Sequence, residues 1–261
     1  MKSIRLCGVR IDDLTLSESV SLALLPRQTP CVAVTPNAVM LDACRKDPRY
    51  AALLNRSTLS LPDGVGVLRA AQRMGTPLRK RVAGIDFGAA VLREASRQGL
   101  RVFLLGGEPG VAKKAAKNLR VGYPGLKICG TCHGYFQKTG AENRRVVNAV
   151  LSARADILFV CFGFPLQEEW IMANLPALKE LRLIAGLGGS LDVWSGRIQR
   201  APRFFIDHGL EWAWRMAREP ARLKNLPALL IFSLSREKSH EKPQNRFANR
   251  TKINSWDAQI R

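Results

Sequence analysis

Short, nearly uninterrupted apolar runs recur along the middle of the chain, and stretches with helical periodicity separate them. The clearest run is 101–105, which leads through a glycine-rich turn into an amphipathic stretch. Runs of this kind are typical of strands buried on both faces of a parallel sheet. The predicted strands are 31–35, 58–61, 101–105, 127–129, 157–161 and 181–185, and the predicted helices are 39–43, 65–74, 85–97, 111–119, 141–152 and 167–174.

The alternation of strands and helices predicts an α/β fold, a Rossmann-like and mainly parallel sheet with helices on both faces. Residues 1–196 form this predicted domain. From residue 197 onward the chain carries 14 Lys+Arg against 6 Asp+Glu, so we expect residues 197–238 to form a basic helical appendage. Its apolar run 226–234 suits either a helix at a membrane interface or a helix packed on the core. The polar segment 239–261 is predicted to be disordered.

The charge balance extends over the whole chain of 261 residues, which has 41 Lys+Arg, 21 Asp+Glu and a net charge of +20. Such a field favours an anionic partner, which could be nucleic acid, an anionic membrane or a phosphorylated substrate. Neither a signal-peptide core nor a spanning apolar segment is evident, so we expect a cytoplasmic protein. Its six cysteines are then expected to be reduced thiols.

Several loops that follow predicted strands carry candidate chemistry, and the carboxyl ends of parallel strands meet at one edge of a sheet. Glycines there let backbone N–H groups approach a phosphate. The pairs Gly106-Gly107 and Gly188-Gly189 therefore suggest phosphate contacts, with a plain tight turn as the alternative. Asp63 directly follows a strand, where a carboxylate could accept a proton from a bound hydroxyl. The alternative for Asp63 is a cap on the following helix.

One cysteine cluster, Cys129-Gly130-Thr131-Cys132-His133, has the spacing of a c-type haem attachment site. Haem attachment requires export, and a zinc site would need two further ligands of suitable spacing. We therefore interpret the cluster as a chance motif in a loop after a strand, and we predict neither a metal nor a cofactor.

Read in order, the motifs of the chain resemble those of the WecG/TagA/CpsF glycosyltransferases, glycosyltransferase family 26. The resemblance covers about residues 5–225. Its motifs are Thr35-Pro36-Asn37, Leu61-Pro62-Asp63-Gly64-Val65-Gly66, Arg81-Val82-Ala83-Gly84-Ile85-Asp86, Phe103-Leu104-Leu105-Gly106-Gly107, Gly134-Tyr135-Phe136, Gly163-Phe164-Pro165-Leu166-Gln167-Glu168, Gly188-Gly189, Arg200-Ala201-Pro202, Gly209-Leu210-Glu211-Trp212, Arg215 and Glu219-Pro220 with Arg222.

The resemblance implies an inverting, metal-independent transfer from a UDP-sugar to an undecaprenyl-diphosphate-linked sugar in bacterial cell-surface polysaccharide biosynthesis. The donated sugar would be N-acetylmannosamine, its uronic acid or a related hexose. The enzyme would be peripheral on the anionic inner face of the cell membrane, and it could form a homo-oligomer.

The resemblance also implies roles for particular residues. Asp63 corresponds to the general base, and the substrate pocket corresponds to Thr35, Asn37, Arg81 and Gln167. The appendage arginines, Arg215 and Arg222, would close over the site and dock on the membrane. Taking the glycine loops and the resemblance together, we expect the diphosphate of the UDP-sugar to lie near these two arginines and near Gly106, Gly107, Gly188 and Gly189.

Two positions depart from the family pattern. Leu166 stands where the family has a lysine, and Asn225 stands where it has the last appendage arginine, although Lys224 is adjacent. The chain also lacks the D-x-D triplet of metal-dependent nucleotide-sugar enzymes.

Two other classes of protein compete with this interpretation. The net charge suggests a nucleic-acid-binding protein, but the five tryptophans form no repeating array with the basic residues. A Rossmann-type nucleotide-dependent oxidoreductase would normally carry a G-x-G-x-x-G fingerprint, which is missing. We therefore expect no nucleic-acid partner.

Overall fold

All six predicted strands occur in a computed structural model of the chain, which describes residues 2–218 and 244–245. They form one parallel sheet in the order β4-β3-β8-β7-β5-β6, so the expected Rossmann-like α/β fold is confirmed. The strands are β3 (Cys31–Val34), β4 (Leu59–Ser60), β5 (Arg101–Gly106), β6 (Lys127–Cys132), β7 (Ile157–Cys161) and β8 (Leu183–Gly186).

Helices cover both faces of this sheet. They are α1 (Leu16–Ala23), α2 (Ala38–Lys46), α3 (Pro48–Asn55), α4 (Val65–Arg73), α5 (Gly84–Gln98), α6 (Val111–Gly122), α7 (Gly140–Ser152), α8 (Leu166–Asn174) and α9 (Ser190–Trp194). Side chains alternate between the faces along each strand, so neighbouring residues enter different apolar clusters. Leu104 and Phe159 pack with α5 and α6, whereas Phe103 and Leu158 pack with α7 and α8.

An N-terminal hairpin that the sequence analysis did not predict precedes the main sheet. Its strands β1 (Lys2–Leu6) and β2 (Val9–Asp12) pair in antiparallel fashion. Cys7 and Gly8 both have positive φ, as a two-residue hairpin turn of type I′ requires. The two described residues near the C-terminus form β9 (Gln244–Asn245), which pairs with the outer edge of β1.

The sequence analysis also missed α1, which precedes β3, and α3, which precedes β4. Both carry sequence signals of a helix N-terminus. Thr15 and Glu18 form a capping box at the beginning of α1. The N-cap of α3 is Asp47, whose side chain accepts the N–H of Arg49, and Pro48 follows as the first helical residue. The missed helices are short, so their apolar periodicity alone was too weak to reveal them.

The cysteine motif does not lie in a loop, contrary to the sequence interpretation. Strand β6 continues through Cys132, because the chain forms a bulge opposite Val102 and Phe103 and then resumes its pairing with β5. Cys129 and Cys132 both pack against the cluster under α7 and α8. Burial raises the pKa of each thiol. Within residues 2–218, no group of three or more potential ligands is arranged to hold a metal ion.

The described part of the appendage contains α10 (Arg203–Asp207) and α11 (Glu211–Arg218). The apolar run 226–234 and the tail 239–261 lie outside the described residues, except for Gln244–Asn245. The boundary at residue 197 therefore stays a prediction. Of the helices that the structure describes, none is long and apolar enough to cross a membrane.

A buried ion pair joins the hairpin to the main sheet. The Arg10 Nε atom lies 3.1 Å from Oδ1 of Asp12, and the Arg10 guanidinium donates to the carbonyls of Ser57 and Thr58. The other Asp12 oxygen accepts the N–H of Ser60 at 2.9 Å. Asp12 is fully buried, so its charge depends on these partners.

We expect Asp12→Ala to lower the free energy of unfolding by about 3–5 kcal/mol, because it leaves the Arg10 charge buried without its partner. Urea denaturation of the full chain measures the change. Glu94→Ala is the matched control, since it removes a solvent-exposed ion pair with Arg97, and we expect a loss below about 1 kcal/mol. Equal losses in the two variants would contradict the assignment.

Candidate active site

The candidate residues gather at the carboxyl edge of the main sheet. Because all six strands are parallel, the loops after β3, β4, β5, β7 and β8 leave this same edge. Strands β5 and β7 are neighbours, but the chain goes from β5 outward to β6 and from β7 inward to β8. Such a divergence opens a crevice between adjacent loops, where α/β proteins commonly bind ligands.

Asp63 lies at this edge and contacts the beginning of α5. Its Oδ2 atom accepts the N–H of Gly84 at 3.4 Å, and its own N–H donates to the carbonyl of Pro36. The N-cap of the following helix α4 is Gly64, which has no side chain. The alternative in which Asp63 caps the following helix is therefore wrong. The carboxylate instead lies at the N-terminus of a later helix, where the helix dipole stabilises its negative charge.

Thr35 meets the same helix end. A Cβ atom at Gly84 would lie 2.9 Å from Oγ1 of Thr35, so only glycine allows this approach of α5. Thr35 and Asp63 are thus brought together around Gly84, one from β3 and the other from β4.

Asn37 has a structural task at the same edge. It is the N-cap of α2, and its Oδ1 accepts the N–H groups of Val39 and Met40 at 3.0 and 3.1 Å. Because the oxygen is used in this way, a hydrogen bond from Asn37 to a ligand would come from the amide nitrogen.

Arg81 connects the edge to the appendage. Its guanidinium lies 3.4 Å from Glu211 at the start of α11 and 3.8 Å from Asp86 in the first turn of α5. Arg200 forms a second link to Asp86 at 2.6 Å. Residues 197–218 therefore pack beside the candidate site.

The glycine pair after β5 is less available than its sequence suggests. Gly106 is buried and belongs to the strand, and the N–H of Gly107 donates to the carbonyl of Cys161 at 3.3 Å. The N–H of Gly134 in turn donates to the carbonyl of Gly107. The pair thus fixes neighbouring loops to one another, and the exposed backbone at this edge begins at Glu108.

Gln167 joins the loops after β7 and β8. Its Oε1 accepts the N–H of Gly163 at 3.3 Å and the N–H of Gly188 at 2.9 Å. Gly188 therefore uses its N–H inside the protein, whereas Gly189 is exposed as the N-cap of α9. Leu166, the departure from the family lysine, is 41% exposed at the start of α8.

The structure describes little of the two appendage arginines. Arg215 belongs to α11, but only its place in the helix is described. Arg222 and Asn225 lie outside the described residues.

Comparison with known proteins identifies the family. The sequence model of the glycosyl transferase WecG/TagA/CpsF family matches residues 4–243. The chain belongs to this family. The assignment favours a glycosyltransferase over the nucleic-acid-binding protein and the oxidoreductase that competed with it.

Curated relatives of this family member include transferases from Bacillus and Staphylococcus species. A Bacillus spizizenii protein is 33% identical over 80% of this chain and 81% of its own length. A Bacillus subtilis protein is 34% identical over 78% of each chain, and a Staphylococcus aureus protein is 32% identical over 80% of each. All three are named N-acetylglucosaminyldiphosphoundecaprenol N-acetyl-beta-D-mannosaminyltransferase.

The structure of this glycosyltransferase adds Glu168 to the candidate residues. The sequence analysis named Glu168 only as part of a motif and gave it no role. In the structure Glu168 is buried, with 1% of its surface exposed. Its Oε1 accepts the Nε2–H of Gln167 at 2.8 Å. Burial raises the pKa of Glu168 to about 7 and the nearby Glu169 adds to the rise, although hydrogen bonds from Gln167 and the backbone oppose it.

Lys138 is a second residue that sequence reasoning missed in this family member. Its Nζ donates to the carbonyls of Gly134 and Phe136, and it lies 3.8 Å from the ring centroid of Phe136. Burial lowers the pKa of this amine. The ammonium thus binds two carbonyls of the loop after β6, and Gly134 of this loop contacts Gly107. It also lies 4.6 Å from the ring centroid of Phe162, a cation–π contact between distant residues that no local sequence pattern reveals.

We expect wild-type stability to fall as pH rises from the unfolded-state pKa of Glu168, near 4.5, to its folded pKa of about 7. In this interval the unfolded chain releases a proton that the folded chain keeps. The free energy of unfolding should therefore fall by an amount on the order of 3 kcal/mol. Urea denaturation at about pH 5 and about pH 8 measures it.

The Gln side chain of Glu168→Gln does not ionise. Between these two pH values the free energy of unfolding of the variant should therefore fall by about 3 kcal/mol less than that of wild type. An unchanged difference between the two pH values in the variant would contradict the assignment.

Proposed function

We propose that this glycosyltransferase moves N-acetylmannosamine, or a closely related hexose derivative, from a UDP-sugar to an undecaprenyl-diphosphate-linked N-acetylglucosamine. The names of three relatives, each covering about four fifths of the chain, support this acceptor and this sugar. The observation that carries the proposal within the molecule is the Asp63 carboxylate, held at the common edge of the sheet by Gly84.

In this proposal the reaction inverts the anomeric centre in one displacement. Asp63 takes the proton of the acceptor hydroxyl, whose oxygen forms a bond to C1 of the donor sugar. The bond from C1 to the UDP oxygen breaks on the opposite face, and the electron pair leaves with UDP. Thr35 lies close enough to the same helix end to orient the sugar.

The leaving diphosphate needs positive charge nearby. Arg81 is the described cation best placed to provide it, because its contacts with Asp86 and Glu211 are as long as 3.8 and 3.4 Å. A diphosphate could replace either carboxylate with shorter, charge-assisted hydrogen bonds. We infer that Arg215 and Arg222 add to this charge and that catalysis needs no divalent metal, as the missing D-x-D triplet suggests.

A lipid-linked acceptor requires the enzyme to work at a membrane surface. Phe204, Leu210 and Trp212 are 60%, 38% and 39% exposed on the described part of the appendage, close to Arg203 and Arg218. Aromatic and basic side chains together favour an interface with anionic lipids. We propose peripheral binding of the appendage to the inner face of the cell membrane.

The reaction is tested by measuring UDP release from a panel of UDP-sugars with lipid-diphosphate-linked N-acetylglucosamine as acceptor. We expect release that depends on the acceptor, is greatest with UDP-N-acetylmannosamine or its uronic acid, and persists in EDTA. Loss of activity in EDTA with recovery in Mg²⁺ would overturn metal independence. Folded protein that releases UDP with none of the donors would overturn the reaction itself.

We expect Asp63→Asn to lower kcat by about 10²–10⁴, because the amide cannot take the proton of the acceptor. Steady-state UDP release measures the change. Glu180→Gln, at the opposite end of the sheet before β8, is the matched control and should keep full turnover. Near-full turnover in Asp63→Asn would remove Asp63 from the role of base.

We expect the double substitution Phe204→Ser and Trp212→Ser to weaken binding to anionic phospholipid vesicles by about tenfold or more, because it removes exposed apolar surface. Co-sedimentation with vesicles measures binding. Val121→Ser is the matched control, since Val121 is 80% exposed on α6, away from the appendage. An equal effect of the two changes would contradict the assignment of the membrane-binding surface.

A further inference from the structure

The side-chain amide of Gln167 is the only described link of its kind between the loops after β7 and β8. Its oxygen accepts the backbone N–H groups of Gly163 and Gly188, which belong to these two loops. Both loops leave the edge at which the proposed reaction occurs. The orientation of this amide therefore contributes to the relative position of the two loops.

Space alone does not orient the amide. Gly186 packs directly against it, and a Cβ atom there would lie 2.9 Å from Nε2 of Gln167. An amide has nearly the same shape after a half turn, so packing hardly distinguishes its oxygen from its nitrogen. A half turn would direct two N–H donors at the N–H groups of Gly163 and Gly188 and would break both bonds.

The two backbone donors favour one orientation of the amide, and Glu168 reinforces it from the other side. Its Oε1 accepts from Nε2 of Gln167 at 2.8 Å, so the nitrogen has an acceptor on one side while the oxygen has two donors on the other. The carboxyl group can do this in either protonation state, because a protonated carboxyl also keeps an acceptor oxygen for the Nε2–H of Gln167.

Part of the carboxyl group of Glu168 destabilises the fold. Its Oε2 atom is buried, and it has no hydrogen-bond partner among the residues that the structure describes. The charged neighbour that acts on the pKa of Glu168 is Glu169 of its own helix, which adds negative charge. A buried polar atom without a partner destabilises a fold relative to an apolar group of the same shape.

We propose that Glu168 is a positioning residue, which fixes the orientation of the Gln167 amide and thereby holds the Gly163 and Gly188 loops in place for the UDP-sugar. The inference rests on the proposed function for its substrate, but its structural part does not. Glu168 acts through Gln167 and needs no contact with the sugar or the diphosphate.

Two substitutions in the full chain separate positioning from folding. Glu168→Met has a similar shape but offers no oxygen acceptor. We expect its Tm to equal or exceed that of wild type, while kcat/KM for the UDP-sugar falls by about tenfold to a hundredfold, since small displacements in a site have effects of this size. Glu168→Gln can still accept from Gln167 and should recover most of the loss.

A double-mutant cycle tests whether Glu168 acts through Gln167. In a Gln167→Ala background, Glu168→Met should lower kcat/KM by less than about twofold, because the amide to be oriented is gone. Full additivity of the two changes would overturn the proposal. So would wild-type kcat/KM in Glu168→Met, or a loss of activity that follows a loss of Tm.

Amide hydrogen exchange gives a readout that does not depend on catalysis. In Glu168→Met the N–H groups of Gly163 and Gly188 should exchange about tenfold faster or more than in wild type. The N–H of Leu187, which donates to the carbonyl of Val160, is the control and should be unchanged. Inactive wild-type protein would refute the proposed function, whereas unchanged exchange at Gly163 and Gly188 would refute the role of Glu168.

Discussion

Six parallel strands end at one edge of the main sheet, and this constraint gathers residues that are far apart in the chain. Thr35, Asp63 and Gln167 follow three different strands, yet each lies at the same edge. The helix that begins at Gly84 adds its N-terminus between the first two. A parallel sheet needs helical crossovers, so every strand end is also followed by a loop that can carry a functional side chain.

Sequence patterns predicted the six strands of this sheet because buried parallel strands are continuous apolar runs. They missed the N-terminal hairpin, because β1 is buried only at Ile4 and Leu6, and the fully buried β2 (Val9–Asp12) is short and contains two charged residues. They also ended β6 too early, because the bulge at Cys129 interrupts the apolar pattern while the pairing continues to Cys132. The hydrophobic pattern of a segment thus predicts which residues are buried. It predicts strand pairing only where the paired residues are also the buried ones.

The sequence predicted which residues form the candidate site, but not which side chains and backbone groups they contact. The family motifs pointed to Asp63, Arg81 and Gln167, whereas the carboxylates that accompany them, Glu168 and Glu211, had no assigned role. The structure also changes the interpretation of the glycines, which the sequence analysis assigned to phosphate contacts. The N–H groups of Gly107 and Gly188 are directed at protein oxygens, so these glycines order the edge before any substrate arrives. Such uses depend on distances across the fold, which one-dimensional spacing does not contain.

Asp86 joins Arg81 of the edge and Arg200 of the appendage through one carboxylate. Two arginines that contact one carboxylate are energetically coupled, because a change at either alters the charge that the other experiences, although Arg81 also contacts Glu211. Drift in the appendage is therefore restrained by the α/β domain, and a relative that exchanged its appendage would need matching changes near the start of α5. The predicted boundary at residue 197 is thus a poor place to recombine members of the family, even though the chain becomes more basic there.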